Sequence, residues 1–422
     1  MIMPENAEYI IDTLYKSAYK AYIVGGCVRD FLLGEEPHDW DITTDARPED
    51  VKQIFSHLKT VDTGLKHGTV TLVIEGDSFE ITTYRTEGSY IKNRKPESVT
   101  FVTSLREDLK RRDFTVNAMA YNRVDGLKDY FGGKDDLKSG IIRCVGDPDQ
   151  RLSEDALRIM RALRFASEKN FIIEEDTHRA MRTNSNLLKN ISVERIASEL
   201  SRTLMGKGVY NALKNYPEPL FEVIPELRPT YGFTQNNPHQ MDDVYEHTIK
   251  SIKNSVPDLE IRLALLFHEM TSAEIAHGIM KRLKYDTSII KNVVRLVENH
   301  SIDLIASEKT VKRRLSKFGE DFFRKLLKMK RADASATSPD TLGESLGLIQ
   351  ETEKIIDRVI KEGKCFSLKD LAINGNDLRV MGIPEGILIG KILEEILDGI
   401  IEGDIDNERH AIIQFLNERG DF

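Results

Sequence analysis

The chain has 422 residues, a formal net charge of −9, 40% hydrophobic and 31% charged residues, and a single tryptophan. That length exceeds one ordinary domain and predicts three or four compact units, with the composition of a soluble, helix-rich protein free of low-complexity tracts. No apolar run reaches membrane-spanning length and the N-terminus lacks the basic and apolar regions of a signal peptide, so cytoplasmic residence is expected. The cysteines, Cys27, Cys144 and Cys365, are dispersed and odd in number, which indicates neither a disulfide framework nor a zinc cluster.

Residues 6–19 read as an amphipathic helix, and Tyr22 to Val24 as a strand running into Gly25-Gly26. Without side chains, that glycine pair lets backbone N–H groups approach a phosphate, and a helix over Val28 to Leu33 adds its positive end. Asp39 and Asp41 follow, separated by Trp40. In an extended segment both carboxylates project to the same side, as oxygen ligands sharing metal ions require. Alone, a DxD sequence is most often a solvated turn; the glycine turn and helix before it give this one chemical meaning. Thr69–Ile74 and Phe79–Tyr84 alternate apolar and polar residues and predict strands joined by a turn at Gly76-Asp77, with Val99 to Val102 continuing the sheet. Between them, Arg85 to Glu97 is polar, contains Gly88 and Pro96, and reads as a mobile loop. After Gly146-Asp147-Pro148 a 3.6-residue period dominates, so the main boundary is placed near residue 145.

The segment from Glu154 to Ala166 carries the next chemical signal. On one helix Asp155 and Arg158 stand three residues apart, and Arg161 and Arg164 extend the stripe along one wall of a cleft. A surface salt-bridge ladder is the plain alternative. A carboxylate accepting from an exocyclic amine, beside a guanidinium donating to a ring acceptor, can instead read a Watson–Crick edge. Cytosine and adenine share that amine and acceptor, whereas uracil and guanine present a carbonyl and an N–H.

GGCVRD (Gly25–Asp30), DWD (Asp39–Asp41), RRDFTVNAMA (Arg111–Ala120) and EDALRIMRALRFA (Glu154–Ala166) occur in this order, and with them the chain resembles the class II tRNA CCA-adding enzymes and bacterial poly(A) polymerases. The resemblance implies an α/β nucleotidyltransferase head, DNA polymerase β-like, followed by all-α neck, body and tail domains, divided as 1–145, 146–205, 206–330 and 331–422. It implies CCA addition to tRNA from CTP and ATP with Mg²⁺ on Asp39 and Asp41. Gly26, Arg29 and Arg112 would hold phosphates, Asp113 would face the sugar, and Asp155, Arg158, Arg161 and Arg164 would bind the base in place of a template. Asn117 is read equally as a loop-holding residue or a ligand contact. Glu80 could assist the metal site, although a sheet salt bridge is the more ordinary role. Because the Arg85–Glu97 segment looks full length, CCA addition is favoured, A-only addition or poly(A) synthesis is the alternative, and CC-only addition is disfavoured.

The helical half holds further signals. Lys309 to Arg331 contains ten basic residues against Glu320 and Asp321, and is a candidate phosphate-contacting surface. Gly382 to Phe422 reverses the balance, with ten acidic residues against three basic. Body and tail, including Asp370–Ile401, are similar to the part of the family that holds the acceptor and TΨC arms of tRNA. His247 in VYEHT and His268-Glu269 in IRLALLFHEM resemble the first elements of an HD phosphohydrolase. Glu269 stands where that pattern has Asp and no convincing distal aspartate follows, which points to a relic helical body. An RNA-binding or HD-type phosphohydrolase protein with an inert head is the reading from another class. The oligomeric state is left open.

Overall fold

The computed structural model describes residues 3–419 except 38, 63, 89, 92, 94, 235–242, 271 and 338. The chain divides into two compact units, one of residues 1–229 with 279–285, the other of 230–278 with 286–422. None of the described helices is long and apolar enough to cross a membrane.

The first unit is built on a seven-stranded sheet. Its strands are β1 (Ala21–Val24), β2 (Ile42–Thr44), β3 (Lys59–Val61), β4 (Thr69–Ile74), β5 (Asp77–Thr83), β6 (Met119–Asn122) and β7 (Gly126–Asp129), in the order β7-β6-β1-β2-β5-β4-β3. Only β2 and β5 run parallel; the other pairs are antiparallel. β4 and β5 carry the alternation seen in the sequence: Val70, Leu72 and Ile74 are buried, and the register sets Val70 opposite Ile81 and Leu72 opposite Phe79. Central β1 is buried at all four positions, as a strand covered on both faces must be.

Local differences have local causes. The β4–β5 turn lies at Glu75-Gly76, both at positive φ (53° and 96°), the geometry that matches the twist of a two-residue hairpin, so Asp77 begins β5. Val99–Phe101 does not extend the sheet; it pairs with Arg85–Glu87 in a separate two-stranded ribbon. The described part of the expected loop forms a further small pairing, Tyr90–Ile91 with Lys95–Pro96. Among the described residues after 145 the strand content is one two-residue strand, Ile172–Ile173, paired with Ile141–Ile142.

Asp155 is not on the helix of Arg158. The helix Pro148–Glu154 ends at Asp155, which is extended (φ −130°, ψ 99°), and a new helix runs from Leu157 to Lys169. The Asp155 carboxylate accepts from Leu157 N–H at 3.1 Å, capping that second helix.

The second unit is helical, and the apolar helix Leu259–Phe267 is buried from Ile261 to Phe267. Helices Val244–Asn254 and Glu320–Ala334 pack on each other and on it. Ile392, Ile396, Leu397 and Ile412 belong to a separate C-terminal core. The basic run is largely consumed by ion pairs within this unit: Lys309 and Arg313 reach Glu402, Lys312 reaches Glu308, Lys325 reaches Glu260, and Arg331 reaches Glu353. The acidic C-terminal stretch thus neutralises part of the stretch read as a phosphate surface.

One polar clamp holds the β6–β7 turn to β1. The Asp125 carboxylate accepts from the hydroxyls of Tyr15 and Tyr22, each at 2.6 Å. Those hydrogen bonds hold its pKa down at about 2, against an ordinary 3.8. A depressed carboxylate stabilises the fold above its unfolded pKa and loses that contribution as pH falls through the folded value. Asp125→Asn should therefore lower Tm near neutral pH, with the difference from wild type shrinking between about pH 4 and pH 2 in thermal denaturation.

Candidate active site

The site forms where β1, β2 and β6 meet. Val24 N–H donates to the Asp41 carbonyl at 3.0 Å and Gly25 N–H to the Met119 carbonyl at 3.1 Å, so the glycine turn, the DxD segment and the RRDFTVNAMA segment are locked edge to edge. Gly25 has φ 81° and ψ −127°, open to glycine but strained for other residues, and begins the helix Gly26–Leu32. A Cβ on Gly25 would lie 3.0 Å from Arg112 Nη1, whereas one on Gly26 would meet only Arg29 Nη2 at 3.7 Å. The demanding position is thus Gly25, one residue before the glycine picked from the sequence.

Asp39 and Asp41 are exposed at the end of β2. The parallel register of Ile42 with Ile81 brings Glu80 alongside Asp41. Surrounding protein atoms push the Asp41 carboxyl above its ordinary pKa; Arg112 opposes that, while Glu80 and Asp39 add to it. Two neighbouring carboxylates that push Asp41 up mark a place where a cation is favoured, and an all-oxygen donor set fits a hard divalent ion.

Arg112 faces this cluster. Its guanidinium is 3.6 Å from Asp108, its Nε is buried without a hydrogen-bond partner, and Asp41 and Asp113 add favourable charge. Asp108, fully buried, accepts from Arg111 at 2.9 Å and from the Thr43 hydroxyl at 3.2 Å, and so positions the arginine pair. Asp108 has no signal in the sequence beyond lying four residues before Arg112.

Asp113 and Arg29 turn inward. Asp113 accepts from Arg161 Nε at 2.8 Å, from Asn117 at 3.1 Å and from Phe114 N–H at 2.8 Å. Despite its burial, the charge and hydrogen bonds of Arg161 hold its carboxyl well below the usual carboxylate range. Arg29 donates to Asn117 at 2.5 Å and to Asp30 at 2.8–2.9 Å, and lies 5.0 Å from the centre of the Phe165 ring. Of the two roles read for Asn117, these bonds give it the loop-holding one.

A neighbouring pocket of about 280 Å³ is lined by Glu87, Tyr90, Pro96, Arg111, Arg112, Asp113, Asp155, Arg158, Arg161 and Arg195. Arg158 is held by the carbonyls of Arg151 (2.8 Å) and Arg111 (3.1 Å), by Glu154 (3.1 Å) and by the Tyr90 hydroxyl (3.5 Å). Burial raises the Asp155 pKa; Arg158 and Arg195 oppose the rise, and Arg195 is 3.9 Å away. Arg164 does not join this wall. It is buried against Glu199 at 2.6 Å and Glu168 at 3.2 Å, with its guanidinium 4.1 Å from the Phe165 ring centre. Glu87, Tyr90 and Arg195 were missed in the sequence because Glu87 and Tyr90 sit in the segment read as a loop and Arg195 belongs to no motif.

A glycine turn, a carboxylate cluster and an arginine facing both at the ends of the central strands define a nucleotidyltransferase head. Residues 21–143 match the "Poly A polymerase head domain" family, residues 170–227 the "Probable RNA and SrmB- binding site of polymerase A" family, and residues 258–416 the tRNA nucleotidyltransferase domain 2 family. The chain is 35% identical to a CCA-adding enzyme of Lactobacillus helveticus, over 97% of this chain and 96% of the relative. The crystal structure of the Bacillus stearothermophilus CCA-adding enzyme in complex with CTP superposes with a TM-score of 0.76 at 32% identity, covering 99% of this chain and 98% of that one. The Thermotoga maritima CCA-adding enzyme complexed with tRNA gives 0.66 at 25% identity, covering 99% and 96%. The chain belongs to the CCA-adding enzymes, the tRNA nucleotidyltransferases that the sequence motifs resembled.

Two measurements check this geometry. Gly25→Ala should introduce about 1–3 kcal/mol of backbone strain and lower kcat/KM for nucleotide incorporation about tenfold or more, whereas Gly26→Ala should be far milder. Glu80→Gln removes a negative charge beside Asp41 and should move the Asp41 titration to lower pH in carboxyl NMR of the metal-free protein; an unmoved titration would place Glu80 outside the cluster.

Proposed function

We propose that this chain builds or restores the CCA end of tRNA from CTP and ATP, using Asp39 and Asp41 to hold Mg²⁺ at the head. The supporting observation is the adjacency of two parts: a carboxylate cluster facing Arg112 at the glycine turn, and a pocket that sets the Asp155 carboxylate beside the guanidinium groups of Arg158, Arg161 and Arg195. In the reaction the terminal ribose hydroxyl of the RNA attacks the α-phosphorus, a new O–P bond forms, and the bond to pyrophosphate breaks in line. Bound divalent ions would supply charge neutralisation for the triphosphate and lower the pKa of the attacking hydroxyl. Arg112, with the backbone of the Gly25-Gly26 turn, draws the triphosphate to the head. Arg29 contributes positive charge there and, through Asn117, fixes the turn.

Base selection falls to Asp155 with Arg158, and Arg161 and Arg195 complete the pocket wall. Asp155 offers an acceptor to an exocyclic amine and Arg158 a donor to the adjoining ring acceptor, the pattern shared by cytosine and adenine. A base with the opposite pattern leaves buried groups unpaired at about 1–3 kcal/mol each. Asp113 acts through Arg161, and Arg164 supports the helix from behind. The division into head (1–145), neck (146–205), body (206–330) and tail (331–422), docking of the acceptor and TΨC arms on body and tail, and residence in the cytoplasm complete the reading. Recognition of the tRNA arms would rest on A-form shape and phosphates more than on base sequence.

Purified protein with Mg²⁺ should extend tRNA lacking CCA by CC and then a single A when given CTP and ATP, resolved at single-nucleotide length. A addition to the CC-ended substrate alone would make it an A-only enzyme, and long A tails a poly(A) polymerase. Asp39→Ala with Asp41→Ala should abolish incorporation. Asp155→Ala should erode the preference for CTP and ATP over UTP and GTP by about 5- to 150-fold; an unchanged preference would overturn the base-reading role.

A further inference from the structure

The second unit contains a cluster that nucleotidyl transfer does not use. His247 and His268, 2% exposed each, meet Asp333 from the helix Glu320–Ala334, and Glu269 completes the group. Asp333 is the distal carboxylate that no sequence spacing revealed.

The four candidate donor atoms lie within 4.8 Å of one another. His247 Nε2 is 2.9 Å from Asp333 Oδ1 and 3.6 Å from Glu269 Oε1; His268 Nε2 is 3.1 Å and 3.4 Å from the same two atoms. Ligands about 2.1 Å from a common ion are separated by roughly 3.0 Å at octahedral and 3.4 Å at tetrahedral angles, and these separations span both values.

Hydrogen bonding strengthens the case. His268 Nδ1 lies 2.7 Å from the Leu265 carbonyl, which can only accept, so Nδ1 carries a hydrogen. Nε2 then faces a carboxylate oxygen at 3.1 Å, a contact that is favourable when either a proton or a metal ion sits between the two. A carbonyl that fixes the tautomer from behind is the usual support of a metal-binding imidazole. His247 Nδ1 is buried with no hydrogen-bond partner, so its environment leaves Nε2 as that ring's functional face.

Access is also present. The histidines form the floor, while the side chains of Asp333 and Glu269 retain 31% and 22% exposure. A cavity of about 290 Å³, lined by Asp333, Lys330, Ser301 and Thr337 among others, opens beside the carboxylate. It has room for water on the coordination positions that the protein leaves free.

We propose that His247, His268, Glu269 and Asp333 form a binding site for a divalent transition-metal ion, separate from the carboxylates of the head. Two imidazoles and two carboxylates suit Zn²⁺, Mn²⁺ or Co²⁺; Mg²⁺, which prefers oxygen ligands, is the poorer fit.

The test uses full-length protein carrying Asp39→Ala and Asp41→Ala, stripped with chelator and titrated with Co²⁺. One equivalent should bind with visible ligand-field bands and raise Tm. Adding His268→Gln or Asp333→Asn should abolish the bands and weaken binding about 100-fold or more. Circular dichroism confirms that each variant is folded, and should either fail to fold, Glu269→Gln must weaken Co²⁺ binding in its place. Absence of a Co²⁺ equivalent in the parent protein would overturn the proposal and leave a proton-linked His–Asp–His network. Binding that survives both His268→Gln and Asp333→Asn would overturn it equally.

Discussion

The site depends on one buried carboxylate. Asp113 receives both the Nε and Nη2 of Arg161 on one oxygen and the Asn117 amide and Phe114 N–H on the other. Asn117 takes a hydrogen bond from Arg29, Arg29 holds Asp30, and Lys169 reaches Asp30 at 2.8 Å. A single network therefore ties the glycine-turn helix, the RRDFTVNAMA loop and both ends of the helix Leu157–Lys169. Removing one partner of a buried ion pair typically costs about 3–5 kcal/mol because the remaining charge is stranded. Here the loss would also release Arg161, which lines the neighbouring pocket. Rigidity and recognition are consequences of the same hydrogen bonds.

That arrangement explains how a chain of net charge −9 can face triphosphate and RNA. Phosphate affinity follows the local field, and Arg111, Arg112, Arg158, Arg161 and Arg195 converge on one pocket. Arg111, Arg158 and Arg161 are hydrogen-bonded to carboxylates or backbone carbonyls, so little of their side-chain entropy remains to be lost when a nucleotide enters. The long basic stretch of the helical half, by contrast, spends much of its charge on Glu402, Glu308, Glu260 and Glu353. Counting charges along the chain overstated that surface, because it could not see which acidic groups fold against it.

Under the proposed base-reading role the pocket must hold its groups stiffly, since a mobile arginine could swing away from an unmatched base edge at little cost. Arg158 is fixed by two backbone carbonyls and by Tyr90, which lies in the short hairpin after β5. The segment read as a loop thus contributes to the wall of the pocket. Its polar composition pointed to a turn, and the turn is present; what composition could not convey is that Glu87 and Tyr90 face inward.

Short-range patterns carried the head motifs, the alternating strands β4 and β5, the glycine turn and the change to helices near residue 145, because each is written in side-chain periodicity or in backbone freedom over a few residues. The DxD pair joined the glycine turn through the same short-range patterns, whereas Arg112 entered the catalytic reading through the family resemblance. Tertiary structure alone decided the rest. Asp155 breaks a helix that periodicity had drawn as continuous, Arg164 turns to Glu199, and Val99–Phe101 leaves the main sheet for a ribbon with Arg85–Glu87. Asp333 meets His247 across 86 residues of sequence. Such contacts are set by how helices and strands pack once formed, and packing partners distant in the chain leave no local period to read.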